Sequence, residues 1–301
     1  MRLLLILLVI TSCTTSKPYY NGAKSDHFDG EKFISLHNSY LPAHDSWSDD
    51  TKEETIPQKF NAATPVKKAR VTFVGHSTFL IQLPNLNILT DPIWSSYVGP
   101  IALPLLIPKR PKDPAIAFND LPKIDFVLIS QSSYYHMDIP TIKQLKQKFN
   151  PTFVAGLGNC YYLNQVQNLD LRCFELDWNQ KMTLPSDVSF VFLTAPNQSQ
   201  RSRFSYNKTL WGSFAIIAPD FKIYFAGDNG LASNFKEITK KYAPFDEALL
   251  PVTNHTSTQT PLNLKPINPS FGVTQTPQEI QELGLTDLEF AAPKFGEVFE
   301  F

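Results

Sequence analysis

Val71-Thr72-Phe73-Val74-Gly75-His76-Ser77-Thr78-Phe79-Leu80-Ile81-Gln82-Leu83 is the stretch that decides the fold. Two runs rich in β-branched and aromatic residues flank a Gly-His-Ser-Thr turn, and Leu86 to Leu89 adds a third run before Asp91-Pro92. Such residues suit a pleated strand and the glycine with its small polar neighbours suits a turn, so the stretch predicts a β-meander. Downstream, Asp125 to Ser130 is a short continuous apolar run of the kind buried on both faces of a sheet. Pro140 to Phe149 follows, with Ile142, Leu145 and Phe149 at helical spacing. Strand followed by helix predicts an α/β domain. Further strands are predicted at Thr152 to Ala155, Val188 to Leu193, Ser213 to Ala218, Lys222 to Ala226 and Ala248 to Val252. A helix is predicted at Pro277 to Leu283, entered through Thr276.

Upstream of Val71 the character differs. Met1-Arg2, the apolar run Leu3 to Ile10 and Thr11-Ser12-Cys13 read as a signal peptide with a small-residue cleavage site, too short to span a bilayer. Ile10-Thr11-Ser12-Cys13 resembles a bacterial lipobox, which implies that residues 1–12 are removed and that Cys13 carries a lipid. No aspartate follows the cysteine, which in lipoproteins of this type implies sorting to the outer membrane, facing the periplasm. Residues 13–67 are polar without a sustained period and read as tether and irregular lead-in, with His27, His37 and His44 as exposed loop residues. Residues 68–301 form the predicted domain.

Composition narrows the partners. With Lys+Arg 27 against Asp+Glu 28 the net charge is -1, which removes the counterion-release drive of nucleic-acid binding. Charged residues make up 18% and hydrophobic residues 43%, which excludes a disordered tail or a coiled coil. No self-similarity at a period of about 20–50 residues is visible, so solenoids and propellers are excluded as well. Cys160 and Cys173 are the only thiols besides Cys13, and they read equally as a disulfide of an oxidising compartment or as two small buried hydrophobes.

Several blocks then carry a resemblance: Gly75 to Ile81, Thr90-Asp91-Pro92-Ile93-Trp94, Pro108-Lys109-Arg110, Leu121 to Asp125, and Asn207-Lys208-Thr209-Leu210-Trp211-Gly212-Ser213. Glu175-Leu176-Asp177-Trp178, Phe225-Ala226-Gly227-Asp228 and Leu249-Leu250-Pro251 continue it in order. Together they resemble the metallo-β-lactamase superfamily, in its N-acyl-phosphatidylethanolamine phospholipase D-like branch. The resemblance implies an αββα four-layer sandwich with a metal site at one edge, where one or two ions lower the pKa of a water and polarise an ester or phosphodiester.

The residues depart from that pattern at the implied site. Its metal loop reads Ser-His-Xaa-His-Xaa-Asp-His, whereas this chain has Ser130-Gln131-Ser132-Ser133-Tyr134-Tyr135-His136. Gln131, Ser133 and Tyr135 therefore stand at ligand positions and only His136 remains. Asn197 stands where a further histidine is implied, Lys294 where the last one is, and Asp228 matches the bridging aspartate. His136 reads as a residue hydrogen-bonded within its own loop or as a metal ligand with Asp228. Asp228 reads equally as a structural turn former and helix cap or as a functional residue, and His76 as support for the site, a substrate contact or a satisfied core group. His255 is the available substitute for a missing substrate-contacting histidine. Lys294 reads as surface amine or as a fixed cation replacing metal charge. Arg201 and Arg203 read as solvated surface charges, or with Lys294 as an anion-binding rim. A catalytic Ser132 or Ser133 lacks any Gly-Xaa-Ser-Xaa-Gly elbow.

The expectation is a lipid-anchored envelope protein with a metallo-β-lactamase-like domain, a largely lost dinuclear site and a ligand- or partner-binding role without a cofactor. The alternative is a phospholipase D-like hydrolase with a rebuilt site, which alone would call for zinc.

Overall fold

In the computed structural model, residues 18–36, 64–99, 109–110, 112–202, 204–227, 235–249, 266–267 and 296–301 are described. Strands β1 (Arg70–Gly75), β2 (Thr78–Leu83) and β3 (Leu86–Thr90) form the predicted antiparallel meander. To β3 are added, in parallel, β4 (Phe126–Ile129), β5 (Thr152–Gly156) and β6 (Arg172–Leu176), with helix α1 (Ile139–Phe149) crossing from β4 to β5. A short helix, α2 (Asn159–Tyr161), and a wider turn at Tyr162–Val166 link β5 to β6.

The second sheet has the same plan. Strands β7 (Lys181–Thr183), β8 (Ser189–Leu193), β9 (Ser213–Ala218) and β10 (Phe221–Phe225) are antiparallel neighbours. Helix α3 (Phe235–Tyr242) then leads to β11 (Glu247–Leu249), parallel to β10, and to β12 (Pro266–Ile267). Strand β13 (Val298–Glu300) returns to the first sheet beside β1.

Strand alternation explains the layering, because successive side chains point to opposite faces. Phe73, Phe79, Ile81, Leu128 and Val154 turn inward and meet Phe190, Phe192, Phe214, Ile216 and Phe225 of the second sheet. Their neighbours Val74, Leu80, Val127, Ile129 and Phe153 turn outward against Ile142 and Leu145 of α1. On the far side Val191, Leu193, Ala215 and Tyr224 cover Ile238 of α3. The order helix, sheet, sheet, helix is the sandwich that the resemblance implies.

Segment 18–36 is irregular, yet it packs on the domain: Phe28 and Phe33 are both 1% exposed in the central cluster. His27 departs from its reading as an exposed loop residue. Its Nε2 meets Asp177 Oδ1 at 2.8 Å and its ring lies 4.8 Å from that of Trp178, because the two phenylalanines draw this stretch onto the sandwich. The cysteines resolve as a Cys160–Cys173 disulfide joining α2 to β6. Cys13, His37, His44, Arg203, Asp228, His255, Lys294 and the helix at 277–283 lie outside the described residues.

Candidate functional site

Parallel pairing of β3 with β4 places the ends of both strands side by side, with Thr90 opposite Leu128. Open α/β sheets offer functional groups at such carboxyl ends. Asp91 leaves β3 there in a left-handed turn, φ 34, while its N–H still donates to Leu128 O at 2.9 Å. The turn is held by Thr78 Oγ1 donating to Asp91 O at 2.8 Å and by Thr90 Oγ1 donating to Ser77 O at 2.9 Å.

The Asp91 carboxylate is completely buried and organises the site. Oδ1 accepts the Ser130 N–H at 2.8 Å; Oδ2 accepts the Ser130 hydroxyl at 2.6 Å and faces His136 Nδ1 at 2.7 Å. Burial pushes the Asp91 carboxyl above its usual range, against the opposing pull of His136 and Ser130. Ser130 in turn sits on two glycines. The Gly212 N–H donates to Ser130 O at 2.9 Å, and a side chain on Gly227 (φ +64) would lie 2.5 Å from Ser130 Cβ. Trp211-Gly212-Ser213 and Ala226-Gly227 therefore read as close-approach positions.

His136 is 2% exposed; within its own loop its N–H donates to Ser133 O at 3.2 Å and its Nδ1 lies 3.4 Å from Ser130 Oγ, and its shortest side-chain contact is to Asp91, 45 residues earlier. The ring of His76, at φ 57 in the β1–β2 turn, lies 5.7 Å from that of His136 and 5.5 Å from that of Tyr135. Burial, then the nearness of His136 and Arg110, depresses His76 to about 3, so it is neutral at ordinary pH. Arg110 is itself buried, donates Nη1 to Ile93 O at 2.9 Å, and is pushed down to about 10 by that burial.

The loop from Ser130 to Asp138 is clamped from outside. Arg201 is not a solvated surface charge: its Nη1 donates to Ser132 O at 3.0 Å and Met137 O at 2.7 Å, and its guanidinium lies 4.1 Å over the Tyr134 ring. These carbonyls occupy the face an anion-binding rim would offer. Thr209 Oγ1 donates to Ser132 Oγ at 2.8 Å, and Asp138 Oδ2 accepts from the Ser95 N–H, the Ser95 hydroxyl and the Thr141 hydroxyl. Of the sequence candidates, the fold brings His76, Tyr135 and His136 together. Tyr135 also packs with Ile93 and Val98, as an apolar side chain would. Gln131 and Ser133 are buried in the same loop, and Ser133 Oγ has no hydrogen-bond partner. Asn197 turns its Oδ1 back to the Gln198 N–H. Asp91, Ser130, Arg110 and Arg201 were not picked out as a set, although Asp91 and Arg110 stand in the quoted blocks.

This arrangement defines a metallo-β-lactamase-like sandwich with a polar site at the strand ends. The β-lactamase superfamily domain model matches residues 86–282, and the chain belongs to that superfamily. An uncharacterised protein of Mycobacterium tuberculosis is 33% identical over 196 residues, 65% of this chain and 52% of its own length. The N-acyl-phosphatidylethanolamine-hydrolyzing phospholipase D 1 of Caenorhabditis elegans is 29% identical over 230 residues, 71% of this chain and 59% of its own. The chain thus spans between half and three-fifths of the length of these relatives. Among solved structures, Igni18, a metallo-hydrolase of Ignicoccus hospitalis, superposes with TM-score 0.54 at 19% identity, covering 78% of this chain and 99% of its own. A possible metal-dependent hydrolase of Veillonella parvula gives 0.56 at 11%, covering 78% and 100%. At such identity these two speak for the fold alone.

The family implies a metal, and the described donors do not fit a dinuclear centre. Zinc sites take clustered imidazole, thiolate or carboxylate donors. Among the described residues no group of three or more His, Cys, Asp or Glu is placed to hold an ion, and the loop offers an amide, a hydroxyl and a phenol instead. The buried Asp91 carboxylate is already engaged by His136 and Ser130.

Proposed function

We propose that this protein is a hydrolase of the ester- and phosphodiester-cleaving kind whose site is rebuilt around the Asp91–His136 pair. The single observation that carries this reading is that pair, fully desolvated at the strand ends and held by Ser130. Burying a carboxylate beside an imidazole costs several kcal/mol that an apolar pair would not, so its presence points to chemistry. A neutral His136 donating its Nδ1–H to Asp91 presents Nε2 as proton acceptor, and the carboxylate stabilises the imidazolium formed when a water is deprotonated. Relatives named as a phospholipase D and as a metal-dependent hydrolase support the reaction class. A rebuilt mononuclear zinc site would draw on His136 together with Asp228 or His255.

The second reading is ligand or partner binding without turnover, favoured by Gln131, Ser133 and Tyr135 at three ligand positions. Lipid anchoring at Cys13, in the outer membrane facing the periplasm, belongs to either reading.

The test is cleavage of bis(p-nitrophenyl) phosphate alongside elemental analysis after zinc and manganese loading, for the wild type, His136→Ala and Asp91→Asn. The expected result is turnover that falls about 10²–10⁴-fold in both variants. Stoichiometric metal lost in His136→Ala would assign the rebuilt site to an ion. Neither turnover nor metal would sink the hydrolase and leave the binding protein.

A further inference from the structure

Six large apolar side chains stand exposed among the described residues: Ile34, Leu36, Val166, Phe174, Phe204 and Tyr206. Four of them, Ile34, Leu36, Phe204 and Tyr206, lie on two segments joined by the Phe33 N–H donating to Asn207 O at 2.8 Å. Phe204, 71% exposed, is at the tip of the turn closed by Ser205 N–H donating to Ser202 O. The same loop carries Arg201, which grips the Ser132 and Met137 carbonyls, so the apolar tip and the site loop are one connected unit.

The first described residues point to what covers this surface. Tyr19 stacks on Tyr161 with centroids 5.8 Å apart, and Lys208, next to the apolar loop, lies 5.6 Å from the Tyr19 ring. Between Cys13 and Pro18 the chain advances by only 18 − 13 = 5 residues. Fully extended, that length reaches at most ~18 Å. A lipid on Cys13 would therefore hold this side of the domain against the bilayer, whatever course the intervening residues take. Among the described residues no helix is long and apolar enough to cross a membrane.

We propose that Ile34, Leu36, Phe204 and Tyr206 form a docking surface for a phospholipid bilayer and lay the turn that carries Arg201 and Phe204 against lipid. The inference rests on acylation of Cys13 and is independent of whether the site turns over a substrate. An acyl anchor and an apolar surface then act as two membrane signals, where one alone binds reversibly.

The experiment uses the full chain in vesicles of phosphatidylethanolamine and phosphatidylglycerol containing brominated acyl chains. Phe204→Trp is compared with Phe174→Trp after subtraction of wild-type fluorescence; both positions are more than half exposed, so neither exchange strains the core. The expected result is quenching several-fold stronger at 204 than at 174. Equal quenching at the two positions, or none at either, would overturn the docking surface. The mass of the Cys13 peptide is read in parallel, so an unacylated cysteine overturns the anchor separately.

Discussion

His76→Asn should remove most of the acid sensitivity that the site region confers on the fold. In the folded protein His76 is depressed from 6.5 to about 3 by burial and by the nearness of His136 and Arg110. Above pH 6.5 the ring is neutral in both states and contributes nothing to the pH dependence. Below it the unfolded chain takes up a proton that the folded chain refuses, so stability falls with pH until about 3. Each unit costs ~1.4 kcal/mol, so the loss reaches ~2 kcal/mol near pH 5. Asp91 works in the opposite sense, since its raised carboxyl favours the folded state at low pH and that contribution is lost as pH rises through its folded value. It does so in wild type and variant alike, so their difference isolates His76. Asparagine tolerates the φ of 57 at this turn, and the exchange introduces no backbone strain. Urea unfolding followed by tryptophan fluorescence, from about pH 7.5 down to about pH 4.5, gives both curves. The wild type should lose stability faster than His76→Asn as pH falls. Parallel curves would refute the argument and show that the imidazole is solvated enough to protonate in the native state.

Two other perturbations address the clamp and the disulfide. Arg201→Ala should cost about 3 kcal/mol in thermal or denaturant unfolding, because two buried carbonyls of the site loop lose a charged donor. Arg201→Lys should recover only part of that loss, since an ammonium cannot span both carbonyls and lie flat on Tyr134. Cys173→Ser should cost about 3 kcal/mol under non-reducing conditions, for a bridge of sequence separation 13. Added reductant should bring the wild type to the same midpoint and leave Cys173→Ser unmoved.

The central strands were legible because burial on both faces writes an apolar run, unbroken in Phe126 to Ile129 and interrupted only by Thr72 in Val71 to Val74. Strand β6 was not, because Arg172-Cys173-Phe174-Glu175-Leu176 lies at the sheet edge with Arg172 and Phe174 facing solvent. Strand β13 was missed for a related reason: three residues at the other edge carry too little pattern to stand out. Within the site, the loop from Ser130 to His136 was found by its likeness to a known pattern, and His76 by the turn it occupies. The partners of that loop were not. Asp91 and Arg201 act across separations of 45 residues to His136 and 64 to Met137, and neither distance leaves a local periodic trace. His27 was misread because its burial depends on Phe28 and Phe33 joining the central cluster between the sheets.

The clamp has a consequence for how such a protein can change. Asp91 holds Ser130 and His136, and Arg201 holds Ser132 and Met137, all through contacts within the chain. Conformation and side-chain identity at positions 131 and 133 are thereby separable, so substitutions there can accumulate one at a time without unfolding the domain. The same separation makes the loop a ready backbone for design. Gln131→His and Ser133→His would alter chemistry on a preset frame, whereas Tyr135→Asp would also remove a ring from its packing with Ile93 and Val98. Reversal at 135 therefore needs compensation in those neighbours, and that position acts as the ratchet of the site.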